Sequence, residues 1–325
     1  MTLSEVLESH REDVPAAVAL VARGDDVEFA AVGEETRQSV FPIASVTKPV
    51  VATAALRLVR DGTIGFDDPI ATWLPELAAP LVVRTPDAGL DDVVPATAPI
   101  TVRHLLTSRC GWGFTADFSL PATRKLLAEA HLHGHEDLPS PGEWLERLAG
   151  VPLLHQPGDG WTYNTSYDVL GVLLDRVTGS LPRHLDEHLF GPLGMTGTSF
   201  LSPALPSGGG GLSSTADDLL AFGRHLLASD LLPELATDTT TAAERAAAEI
   251  FLEGQGWGLG GSVDITERDA WNVPGRYGWV GGSGTSFHVT WTEDLVTVLL
   301  TRTPMTSPSP LAVMRDFWRS AVHTA

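Results

Sequence analysis

Two hydrophobic rhythms alternate along the chain. TLSEVLESH spaces its apolar residues as one face of a short helix does. VPAAVALVARGDDVEFAAVG then reads as two strands turned at Gly24-Asp25-Asp26. Helical spacing returns in VVATAALRLVRDG, which Gly62 closes. Pro49 has no N–H and fits near a first helical turn, so this helix begins at or beside Ser45. From Asp67 to about Ala228 the pattern is mostly helical: DDPIATWLPEL, TVRHLLTS, PATRKLLAEAHLHG, GEWLERLAG, SYDVLGVLLDRVTGS, LPRHLDEHLF and STADDLLAFGRHLLAS. Thr101, Ser214 and Thr215 are candidate caps. The proline-rich stretch up to Pro99 has room for a small hairpin around Thr85-Pro86-Asp87, and AERAAAEIF adds a helix. Strands resume in GLGGSVDI, GTSFHVTWT and DLVTVLLTR, followed by a C-terminal helix, PLAVMRDFWRSAVH. No internal repeat appears, and Gly208 to Gly211 is the one low-complexity patch. The layout predicts an α/β (α+β) protein in which residues 1–66 plus 250–325 build a sheet domain. Residues 67–249 form a mostly helical insert, with the active site between the two.

Composition narrows the classes. With 325 residues, 43% hydrophobic and 19% charged, the chain can bury a substantial core. A net charge of −20 without any basic run repels phosphate backbones and argues against a nucleic-acid partner. The longest apolar run, Val14 to Ala22, is too short to cross a bilayer. The acidic amphipathic start does not read as a signal peptide, so a cytoplasmic, reduced protein is expected. Cys110 is the only cysteine, which excludes an intramolecular disulfide and a cysteine-based zinc site.

The candidate chemistry begins in FPIASVTKPV. Ser45 and Lys48 stand three residues apart at the mouth of the helix, where that spacing puts a hydroxyl and an amine on one face. A serine hydroxyl needs a base to become a nucleophile, and a neutral lysine can serve. The outward-pointing N–H groups of the helix start favour negative charge beside it.

S-x-x-K is the signature of serine β-lactamases and penicillin-binding proteins. Further blocks follow in order: ITVRHLLTS, PGDGWTYNTSYDVLGVLLDRVTG, FGPLGMTGTSF, GLSSTADDLLAFGRHLL and YGWVGGSGTSF. Together they resemble the class C β-lactamase-like superfamily, which includes penicillin-binding-protein-like hydrolases and family VIII carboxylesterases. The resemblance implies a β-lactamase/transpeptidase-like fold, with an antiparallel sheet flanked by helices. It also implies acyl transfer through a serine ester without cofactor or metal. Its second motif, Y-x-N, supplies a tyrosine that shuttles protons; here Tyr163 is followed directly by Asn164. Counting from Pro157-Gly158 puts Tyr163 at the tyrosine position, and counting back from Leu170-Gly171 puts Thr162 there. A phenol titrates nearer the working range than an alcohol, which favours Tyr163. Asn164 then resembles the substrate-contacting amide. The third motif, K-T-G in β-lactamases, is replaced by Trp279-Val280-Gly281, with Gly282 next. The resemblance implies that the N–H groups of Ser45 and Gly282 hold the oxyanion. Trp279 removes the cation expected to meet a β-lactam carboxylate. A carboxylesterase acting on a small-molecule acyl ester is therefore expected first, then a β-lactamase or D-amino peptidase, then a non-catalytic relative.

Other motifs read as incidental. His184 and His188 fit H-x-x-E-H, but their helix reads equally as a surface helix without a third ligand. His131, His133 and His135 alternate in a Gly-containing loop and read as solvated. Gly256, Gly258 and Gly261 fit G-x-G-x-x-G without the strand and helix that a nucleotide site needs. No G-x-S-x-G occurs, and Cys110 has no visible activating partner.

Overall fold

The computed structural model describes residues 1–130, 132 and 138–323, so His131, His133 and His135 lie outside the described residues. Seven strands make one antiparallel sheet, in the order Asp26–Val32, Ala17–Arg23, Leu295–Thr301, Thr285–Thr290, Tyr277–Gly281, Ser262–Val263 and Gly256–Trp257. The hairpin read at Gly24-Asp25-Asp26 is present, with Gly24 in the left-handed region at φ +54.

Both faces of this sheet are covered, which explains the nearly unbroken apolar run AVALVA. Val18, Leu20, Val298 and Leu300 face the larger core, shared with the helices Thr47–Arg60 and Ala216–Ala228. Ala17, Ala19 and Leu299 face a second core closed by the first and last helices, Leu3–Ser9 and Ala312–His323. The period of two places alternate residues on opposite faces, and here both faces demand apolar side chains. The helix Thr47–Arg60 is buried almost all round, from Thr47 to Leu56 and again at Leu58. It ends as expected at Asp61, with Gly62 at φ +80.

The helical middle contains Val102–Leu106, Pro121–Glu129, Pro141–Ala149, Thr165–Thr178 and Ala216–Ala228. Thr101 and Thr215 cap their helices through the amides of His104 and Asp218. A hairpin of Leu81–Val83 with Val93–Pro95 encloses Thr85-Pro86-Asp87.

Three readings are corrected, and one element is added. DDPIATWLPEL forms two 3-10 turns, Ile70–Thr72 and Pro75–Leu77, because Pro75 cannot donate to a continuing helix. GLGGSVDI holds only a two-residue strand, Ser262–Val263, which turns back in a tight hairpin onto Gly256–Trp257 just before it. A Cβ at Gly258 would stand 2.0 Å from the Leu235 carbonyl, so its glycines serve close packing. LPRHLDEHLF passes from α-helix to a π-helical turn at Asp186–Phe190, which brings the His184 and His188 rings to 4.6 Å. The motif YGWVG proves to be a full strand, Tyr277–Gly281, inside the sheet. Three further short strands, Phe41–Pro42, Leu212–Ser214 and Ser199–Phe200, pair beside the start of the nucleophile turn.

Candidate active site

Ser45 sits on a 3-10 turn, Ala44–Val46, that runs into the helix Thr47–Arg60. Ala44 just before it has φ +44, a left-handed conformation costly for a residue with a Cβ. The turn is held from outside: Ile43 donates its amide to the Leu212 carbonyl, and the Ile43 carbonyl accepts from Thr285 Oγ1 at 2.9 Å. Gly281 makes this contact possible, because a Cβ there would lie 2.3 Å from the Ile43 oxygen. The third motif thus packs directly beneath the nucleophile turn.

Lys48 is fully buried, and its Nζ lies 2.9 Å from Ser45 Oγ. The amine also donates to Asn164 Oδ1 at 2.8 Å and to the Gly209 carbonyl. Burial disfavours its charged form and pulls its pKa down to about 7, against the opposing pull of the Asp168 carboxylate.

Tyr163 joins the same cluster. Its main chain pairs with Phe114 in both directions at 2.9 Å, a bridge that a Cβ on Gly113 would block at 2.5 Å from the Tyr163 carbonyl. Its hydroxyl accepts from Trp279 Nε1 at 2.6 Å, and Lys48 Nζ lies 4.8 Å from its ring centroid. Burial pushes the phenol up to about 12, while hydrogen bonds with Ser45 and Trp279 act in the opposite direction. Thr162 is turned away: its hydroxyl donates to the Trp112 carbonyl at 3.0 Å.

Asn164 has φ +83 and precedes the helix Thr165–Thr178. Its side chain bridges Lys48 to a residue that the sequence reading missed, Asp168, whose carboxylate accepts from Asn164 Nδ2 at 3.1 Å. Ser207 Oγ and the Gly209 amide complete the carboxylate's partners. Burial raises the Asp168 carboxyl above its ordinary range, opposed by these hydrogen bonds and by the Lys48 charge. One signal was available: Asp168 is a charged residue between Tyr167 and Val169, in a helix otherwise apolar from there to Leu174.

Trp279 and Gly282 divide the third motif. Trp279 is only 4% exposed, and its indole is committed to Tyr163 and, edge-on at 4.9 Å, to Trp257. Its N–H is spent on the phenol oxygen. Gly282 is exposed, has no atom within 4 Å of its missing Cβ, and faces a 220 Å³ cavity together with Ser45, Asn164 and Asp168. Of the sequence-predicted residues, the structure therefore gathers Ser45, Lys48, Tyr163, Asn164, Trp279 and Gly282, with Gly281 packed beneath.

Cys110 is buried, its thiol pushed up to about 11 by burial. Among the described residues no group of three or more His, Cys, Asp or Glu side chains is placed to hold a metal ion. No helix among them is long and apolar enough to cross a membrane.

A sheet covered on both faces, with a buried lysine against a serine at the head of a central helix, is the framework of a serine hydrolase. A family model described as Beta-lactamase matches residues 3–313, and the chain belongs to that family. Esterase EstB of Burkholderia gladioli is 31% identical over 92% of this chain and 89% of its own length. Lovastatin esterase of Penicillium rubens is 28% identical over 90% and 88%. The solved structure of EstCE1, "a hydrolase with promiscuous acyltransferase activity", superposes with a TM-score of 0.77 over 98% of this chain and 97% of that one. At 23% identity this likeness speaks for the fold.

Proposed function

We propose that this protein is a carboxylesterase that cleaves small acyl esters through an acyl-enzyme on Ser45. The observation that carries the reading is the Lys48 amine, 2.9 Å from Ser45 Oγ and brought down to about 7 by burial. In its neutral form Lys48 keeps two N–H groups for Asn164 Oδ1 and the Gly209 carbonyl. Its lone pair is then left for the Ser45 proton. Ser45 attacks the ester carbonyl, and the N–H groups of Ser45 and Gly282 hold the oxyanion. Tyr163 hands a proton to the departing alcohol, and a water activated by the Lys48–Tyr163 pair releases the acid. Asp168 positions Asn164, and through it the amine. Ser45, Lys48 and Gly282 come from the proposed sheet domain, 1–66 plus 250–325, and Tyr163, Asn164 and Asp168 from the helical domain, 67–249. This supports a site between two such domains.

Ester preference is supported by the near full-length similarity to proteins named as esterases and by Trp279 in place of a cation. Turnover of p-nitrophenyl acetate and p-nitrophenyl butyrate without turnover of a chromogenic cephalosporin is the expected result. The reverse pattern would assign a β-lactamase or D-amino peptidase, and silence on all three a non-catalytic relative.

The pH dependence follows from Lys48. Its neutral form is the base, so kcat/KM should fall about tenfold per unit below about 7 and level off above it. No alkaline limb is expected up to about pH 11, because the phenol stays protonated to about 12. Asp168 raises the lysine's pKa, so Asp168→Asn should move the acid limb to lower pH. A pH profile on p-nitrophenyl butyrate checks this, and an unmoved limb would remove Asp168 from the proton circuit.

A further inference from the structure

Resting on the esterase reading above, we propose that the alcohol half of the ester carries an aryl ring, which Phe118 and Phe251 hold in an aromatic strip that starts on Tyr163. The Phe251 ring stacks on Tyr163 with centroids 4.9 Å apart and planes at 29°. Phe118 lies 6.2 Å beyond Phe251 and 5.8 Å from Phe114. Trp161 backs the strip at 5.9 Å from Tyr163 and 6.1 Å from Phe251. All these separations fall within the range of favourable aromatic pairs.

The inner rings are covered, Trp161 at 7% and Phe114 at 8%, whereas Phe118 is 39% exposed and Phe251 half-buried. An aromatic residue already seated on an aromatic cluster gains by burial, so an open outer edge leaves apolar area for another ring to cover. The direction of the chemistry says which half of the substrate comes here. Tyr163 protonates the leaving oxygen, so the alcohol lies at the Tyr163 hydroxyl, on the residue from which the strip of Phe251 and Phe118 extends. The cavity faced by Gly282 and Asn164 is lined, among the described residues, by none of these rings and takes the acyl half.

The test compares 2-phenylethyl, 2-cyclohexylethyl and ethyl acetate, whose alcohols have similar basicity, so that rates report binding and not leaving-group quality. The phenylethyl ester should exceed the ethyl ester in kcat/KM by about tenfold and the cyclohexylethyl ester by roughly threefold. Phe118→Ala should lower the phenylethyl-to-ethyl ratio about fivefold, mainly through KM, and Phe118→Tyr should keep it. Phe118 does not touch Tyr163 among the ring contacts, so this variant separates the strip from the proton shuttle. An unchanged ratio, an equal fall for both esters, or equal rates with phenylethyl and cyclohexylethyl acetate would overturn the aryl subsite. Hydrolysis without any aryl preference sinks this inference alone, whereas no hydrolysis of any ester sinks the esterase reading beneath it.

Discussion

Ser45→Ala is expected to lower kcat/KM on p-nitrophenyl butyrate by at least about 10⁴-fold and to abolish labelling by a phosphonate probe. The magnitude rests on Ser45 being the group that forms the covalent bond. Cys110 is the only thiol, and it is buried and held protonated well above neutral pH. Thr47, the nearest other hydroxyl on the helix, is already committed as the acceptor of the Leu212 amide at 3.1 Å. The variant should fold as the native protein does, because Ser45 is part-exposed and the turn around it is held by Ile43, Gly281 and Thr285. Intact-mass spectrometry after incubation with the probe provides the second readout. Persistent labelling at another residue, with retained turnover, would show that the nucleophile lies elsewhere.

How much of this site can be read from the chain depends on how local each contact is. Ser45 and Lys48 are legible because an i,i+3 pair at a helix start is a local geometric fact, and the 2.9 Å contact realises it. The strand Ala17–Arg23 is legible for the same kind of reason, since its hairpin partner follows after one turn. Tyr277–Gly281 was less so: glycine interrupts its strand signal, and its place in the sheet depends on pairing with Phe287 and its neighbours. Asp168 is least legible of all. Its partners Ser207 and Gly209 lie in another segment, and only the folded chain shows a carboxylate braced behind the asparagine that touches the lysine. Trp279 stands in the sequence where β-lactamases carry the lysine of K-T-G. That its indole supports Tyr163 across 116 positions of sequence is a fact of packing that no local pattern encodes.

That indole contact bears on the second large effect. Tyr163→Phe should reduce kcat/KM by roughly two to four powers of ten, the usual range for loss of a positioned general acid or base. Thr162→Ala should leave the rate near that of the native enzyme, because its hydroxyl is spent on the Trp112 carbonyl and points away from Ser45. Its cost is one buried hydrogen bond and one buried methyl group, about 2 kcal/mol of stability. The reverse outcome, a slow Thr162→Ala and an intact Tyr163→Phe, would remove Tyr163 from the proton circuit. A leaving-group comparison separates proton transfer from a merely structural role. p-Nitrophenolate departs without help, whereas an alkoxide must be protonated as it leaves. If Tyr163 supplies that proton, Tyr163→Phe should penalise ethyl butyrate more than p-nitrophenyl butyrate. If it only fills space between Phe251 and Trp279, both esters should slow alike. The high phenol pKa favours the first outcome. A hydroxyl held near 12 remains a proton donor throughout the working range, and the Trp279 N–H stabilises the oxygen at the moment it gives the proton up.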